Sequence, residues 1–185
     1  MKILSNYVLF LAILFSAGAV NGQSKYFTRG AQISFLSQAP METIEGVSNT
    51  VNSAILPSDG RIEFAVLIKS FNFEKKLMQE HFNENYLESD KYPKATFKGT
   101  LTNLNKINFS KEGTYPATVS GNLTIHGITK PITTNGTITV KNKTLLVNCS
   151  FNVLLSDYKI EIPSLVKDKV NNKVAITVKG NYSAL

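Results

Sequence analysis

Apolar and polar residues alternate with a period of two through most of this chain. In "RIEFAVLIK", Ile62, Phe64, Val66 and Ile68 share one face. In "KATFKGTLT", Ala95, Phe97 and Leu101 lie opposite Lys94, Thr96, Lys98 and Thr100. One phase also joins Tyr115, Ala117, Val119, Leu123 and Ile125. Leu145, Val147, Cys149, Phe151, Val153 and Leu155 form another such row, and Val174, Ile176 and Val178 a shorter one. Successive side chains of a strand point to opposite faces, so this alternation predicts half-buried antiparallel strands. With "AQISFLSQ" and the weaker "METIEGVSNTVNSAIL", about eight strands are expected.

Turn-forming residues separate the runs at Pro57 to Gly60, Lys111 to Gly113, Gly127 to Pro131, Lys141 to Lys143 and Asn171-Asn172. Asn135-Gly136 is a strong hairpin dipeptide. Yet Ile132, Thr134, Ile138 and Val140 keep one phase straight through it. The dipeptide therefore belongs inside a strand, at a bulge if anywhere, and the turn belongs at Lys141 to Lys143. One segment, "NFEKKLMQEHFNENYL", departs from the period of two. Leu77, Met78, His81 and Phe82 recur at helical spacing, which predicts a helix from about Glu74 to Tyr86, capped by Asn72 and lying on an apolar surface. The fold class is thus all-β with one helix. A closed, eight-stranded, antiparallel up-and-down barrel fits best, because closure leaves no exposed edge. A β-sandwich of the same length is the alternative. At this strand number the interior either fills with side chains or holds one small ligand.

The N-terminal residues stand outside this pattern. Met1-Lys2 gives a positive start, Leu4 to Ala19 is mostly apolar, and small residues follow. That order reads as a secretory signal peptide over residues 1–22, leaving one domain over residues 23–185 in the periplasm or secreted. The net charge is +7, but the lysines are scattered as singles and pairs. Such scatter argues against nucleic acid as a partner and permits transient contact with an anionic membrane surface. Oligomeric state is left open, with a homodimer among the options.

The chemistry-bearing residues are few. The single cysteine, Cys149, allows no internal disulfide and sits in an apolar run, as a buried thiol would. His126 falls in the polar phase with Asn122 and Thr124, which gives it a turn or rim role rather than ligation or catalysis. His81 reads as a helix packing residue whose ring is at most at a cavity mouth. No His, Cys, Asp or Glu cluster has metal-ligand spacing, and no nucleophile elbow, phosphate loop or zinc-protease motif occurs. The expectation is no metal, no catalytic residue and no enzyme. Six N-x-S/T triplets read as wet strand faces.

"YLESDKYPKATFKG" (86–99) followed by "GTYPATVSGNLTIHGITKPIT" (113–133) resembles the YceI-like family of exported bacterial proteins. The resemblance implies a lipocalin-like, eight-stranded barrel closed by an α-helix. It also implies an elongated apolar cavity for a long isoprenoid chain, either a polyprenyl lipid or an isoprenoid quinone, with no other cofactor. On the same resemblance "LTIHGITKP" is a structural signature at a strand connection. The apolar phase supplies the candidate wall: Phe64, Val66, Ile68, Phe97, Leu123, Ile125, Val147 and Phe151, with Leu77 and Phe82 from the helix. The competing reading of each is ordinary core, in a solid barrel that serves as a structural or stress-related interaction protein.

Overall fold

In the computed structural model, which describes residues 25–185, the chain forms eight strands. They are β1 (Tyr26–Gln38), β2 (Thr43–Leu56), β3 (Arg61–Leu67), β4 (Lys94–Leu101), β5 (Gly113–Ile125), β6 (Ile128–Lys141), β7 (Thr144–Leu154) and β8 (Lys173–Ala184). Each pairs antiparallel with the next, and β8 pairs back to β1, so the sheet closes into one barrel rather than a sandwich. The signal peptide expected over residues 1–22 lies outside the described residues.

One end of the barrel is solid. Tyr26, Ile55, Leu101, Ala117, Ile138, Leu145 and Tyr182 form a buried cluster there. The Tyr182 hydroxyl donates to Ser53 Oγ at 2.8 Å, and Ser53 Oγ donates in turn to the Glu63 carbonyl at 2.8 Å, so both buried hydroxyls are satisfied. Burial pushes that phenol far above its usual range.

The other end is splayed. The β2/β3 ladder covers only Asn52–Leu56, so the first half of β2 has no β3 partner. The β6/β7 ladder covers only Gly136–Lys141, so the first half of β6 is free on that side. Pro131, which has no N–H to offer a ladder, sits in this one-sided stretch opposite Asn122. Connections fill both seams. The β3–β4 connection bridges the first, with Asn72 and Val47 exchanging backbone hydrogen bonds of 2.8 and 3.0 Å. The long β7–β8 connection covers the second.

Two compensating bulges in β1 and β2 shift the register between Thr28 and Ala31 and between Ala31 and Ile33. Each adds one residue to one strand and reverses which parity faces inward. Thus buried Tyr26 and Thr28 give way to Ala31, Ile33 and Phe35, and on β2 Gly46 and Ser48 give way to Val51, Ser53 and Ile55. No register shift occurs at Asn135-Gly136, which lies within β6, and the next turn is at Asn142-Lys143 as its φ values of 49° and 59° require.

The helix is shorter than its spacing predicts. The helix α1 spans Lys76–His81 and continues as a π-helical turn over Phe82–Tyr86. Asn72 does not cap it: its backbone is committed to Val47, and the residue before the helix, Lys75, makes no side-chain cap. The wider turn, closed by Leu87 N–H donating to the Phe82 carbonyl at 2.9 Å, keeps Phe82, Tyr86 and Leu87 all on the barrel side.

Candidate functional site

Above the solid plug the barrel is hollow. The cavity has a volume of about 540 Å3, well inside the roughly 300–1,000 Å3 typical of small-molecule sites. All ten candidate residues line it: Phe64 and Val66 of β3, Phe97 of β4, Leu123 and Ile125 of β5, Val147 and Phe151 of β7, and Ile68, Leu77 and Phe82 of the β3–β4 connection. Cross-strand pairing brings them together, with Phe64 opposite Phe97 and Phe97 opposite Leu123. Most have packing neighbours in the core as well, so wall and core are one surface.

The sequence reading missed the β1 and β8 contributions. Ile33 and Phe35 of β1 and Val174, Ile176 and Val178 of β8 face the same space. The signal for both was present, as alternation in "AQISFLSQ" and "KVAITVKG", but the bulge after Thr28 hides the inward phase of β1. Four aromatics form one side of the wall. Phe82 stacks on Phe35 with ring centroids 5.2 Å apart and meets Phe71 at 5.6 Å and Phe73 at 5.0 Å. Gly46 pairs with Phe35 across the strands, and a Cβ there would overlap the Phe35 ring, so the missing side chain is what lets that ring cross the wall.

Polar groups cluster at the mouth. Lys75 Nζ lies 3.1 Å from Glu42 Oε1, and His81 and Lys169 complete the rim. Deeper in, polarity is slight. Cys149 Sγ lies 3.5 Å from Thr134 Oγ1, and burial pushes its thiol up, so it stays protonated and weakly nucleophilic. Neither histidine faces a nucleophile. The exposed ring of His81 sits at the rim. His126 occupies the β5–β6 turn, with φ of 51° followed by 72° at Gly127, a geometry suited to a two-residue hairpin. Its ring folds back so that Nε2 lies 2.7 Å from Glu88 Oε2 and Nδ1 lies 3.1 Å from the Tyr158 carbonyl oxygen. Among the described residues no three His, Cys, Asp or Glu side chains gather closely enough to hold a metal ion. An apolar chamber with a polar rim is able to bury a hydrocarbon chain and leave its head group in water.

Comparison with known proteins agrees with this architecture. No curated protein sequence matches the chain. Among solved structures, a polyisoprenoid binding domain from Saccharophagus degradans superposes with a TM-score of 0.76 at 15% identity, covering 87% of this chain and 98% of that one. Burkholderia cenocepacia BcnA superposes with a TM-score of 0.67 at 17% identity, over 83% of this chain and 96% of its own. The Campylobacter jejuni YCEI protein gives a TM-score of 0.51 at 16% identity, over 96% and 98% of the two chains. At these identities the likeness establishes the fold. The YceI-like domain profile matches residues 26–182, from the first residue of β1 to the plug tyrosine of β8, and the chain therefore belongs to the YceI-like family.

Proposed function

We propose that this protein is an exported, non-enzymatic binding protein that holds a long isoprenoid chain, a polyprenyl lipid or a quinone tail, for carriage or storage. The single observation that carries the reading is the chamber of about 540 Å3 above the plug, walled by apolar side chains and open at a polar rim. Removing hydrocarbon from water supplies about 0.8 kcal/mol per buried methylene before binding costs. The rim groups Lys75, Glu42, Lys169 and His81 are placed to orient a head group. The neighbour from Saccharophagus degradans, itself a polyisoprenoid binding domain, supports this ligand class. Three exposed apolar residues at the mouth end, Met41, Leu77 and Leu165, suit transient contact with a membrane surface.

The test is solvent extraction and mass spectrometry of protein recovered from its own export compartment. The expected result is a protein mass beginning at Gln23 and one isoprenoid per chain. Protein that still carries Met1, or that never yields a lipid under native extraction, contradicts the reading.

A further inference from the structure

We infer that the open end of the barrel docks mouth-first on a phospholipid bilayer by inserting three apolar tips, so that the ligand passes between membrane and chamber without entering water. Resting on the isoprenoid reading above, this docking adds the surface across which that ligand is exchanged. Apart from the C-terminal Leu185, the three most exposed large apolar side chains among the described residues are Leu165, Met41 and Leu77, at 93, 71 and 61%. They come from three separate connections, β7–β8, β1–β2 and β3–β4. Those connections meet at the open end. The Met41 N–H donates to the Asp168 carbonyl at 3.1 Å, and Lys75 Nζ donates to Glu42 Oε1 at 3.1 Å. Each tip also adjoins the chamber: Leu77 lines it, and Met41 and Leu165 stand next to Glu42 and Val166, which do. Single exposed apolar residues are ordinary on a protein surface. Here the three most exposed ones surround one opening, and through Leu77 their surface runs into the chamber wall.

Charge identifies the occupant. Segments 39–42, 73–82 and 164–171, which carry the tips, hold four lysines and four carboxylates, so this end is balanced although the whole chain carries +7. Attraction of a polybasic patch to anionic lipid is therefore not what holds the mouth to a membrane. Burial of the tips at the headgroup boundary is, and that needs no particular lipid charge. A lipid surface also fits the chamber's contents. An isoprenoid chain is nearly insoluble in water, and a bilayer against the mouth places hydrocarbon next to the chamber wall. A second copy seated mouth to mouth would close the exit instead.

The experiment uses the mature protein with vesicles of phosphatidylcholine, with and without phosphatidylglycerol, at low and high salt. Docking is expected on both compositions and at both salt concentrations. The chain has no tryptophan, so Leu165→Trp gives a single reporter at the mouth. Its emission is expected to shift to the blue on vesicles, while that of Leu146→Trp, on the outer face of β7 near the plug, stays unshifted. Replacing both Met41 and Leu165 by Ser is expected to weaken docking about tenfold or more. Affinity for geranylgeraniol delivered from cyclodextrin should not change, because neither residue lines the chamber. Docking that requires phosphatidylglycerol and is lost in high salt overturns the insertion, and a shift at Leu146→Trp instead of Leu165→Trp overturns the orientation. A dimer that the serine variant dissociates, with vesicles ignored, gives this face to a second copy and overturns the proposal. Isoprenoid binding without docking overturns the docking alone; docking without any isoprenoid bound overturns the ligand reading and leaves the docking standing.

Discussion

His126 ties three connections of the barrel together. Its left-handed backbone forms the β5–β6 turn, and its ring, almost fully covered, reaches two other connections. Glu88 follows the π-helical turn, and Tyr158 belongs to the β7–β8 connection that covers the second seam. Glu88 and Lys159 also have positive φ, at 42° and 55°, so three strained residues meet at this junction. Such strain persists only where surrounding contacts over-determine it. The Tyr92 ring packs edge-on against the imidazole at 4.6 Å and leaves no room for a Cβ at Gly127. Replacing His126 by Ala strands the Tyr158 carbonyl and frees Glu88. The expected loss is about 1–3 kcal/mol in urea unfolding, with faster release of a bound chain, since three rim connections loosen together. Unchanged stability would mean that the ring's contacts are dispensable. The polar phase of His126 in the sequence correctly placed it at a turn. Its two partners were not legible, because residues 38 positions and 32 positions away come near it only through barrel closure.

At the scale of elements, legibility followed the regularity of the strands. The unbroken alternations of β3, β5 and β7 read directly. The β2 segment read weakly for a physical reason: its inward set is Ile44, Gly46 and Ser48, then Val51, Ser53 and Ile55. Half of these are small, and the phase reverses between Ser48 and Val51 where the register shifts. The helix is shorter than its spacing predicts for a similar reason. Phe73 carries the apolar signal of the segment start, but it faces Phe35 and Phe82 from extended chain rather than from a helical turn. Six residues of α-helix cannot stand alone in water; α1 is held by what Phe82 and its neighbours touch. Phe82→Ala in a sealed core would cost about 3–5 kcal/mol. Here one side of the ring already borders open cavity, so a smaller loss is expected in chemical denaturation, together with faster dissociation of a bound isoprenoid. A full core-sized loss with ligand release unchanged would contradict the placement of Phe82 in the cavity wall.

For the whole molecule, the decisive feature is a barrel that is solid at one end and hollow at the other. Alternation alone cannot distinguish those states, because a core residue and a wall residue have the same parity. Phe97 and Leu101 share a face of β4, yet one borders the chamber and the other lies in the plug. What separates them is three-dimensional: the split β2/β3 and β6/β7 seams widen the mouth, while the β5/β6 and β7/β8 ladders, unbroken to their base ends, and Tyr182 close the base. The most direct test of this account is a methyl NMR titration of isoleucine-, leucine- and valine-labelled protein with geranylgeraniol. Shifts are expected at Ile33, Ile125, Val153 and Ile176 around the chamber, with Ile138, Val140 and Leu145 of the plug unmoved. Shifts confined to Leu67 and Leu165, which are exposed and line no part of the chamber, or no shifts at all, would contradict it.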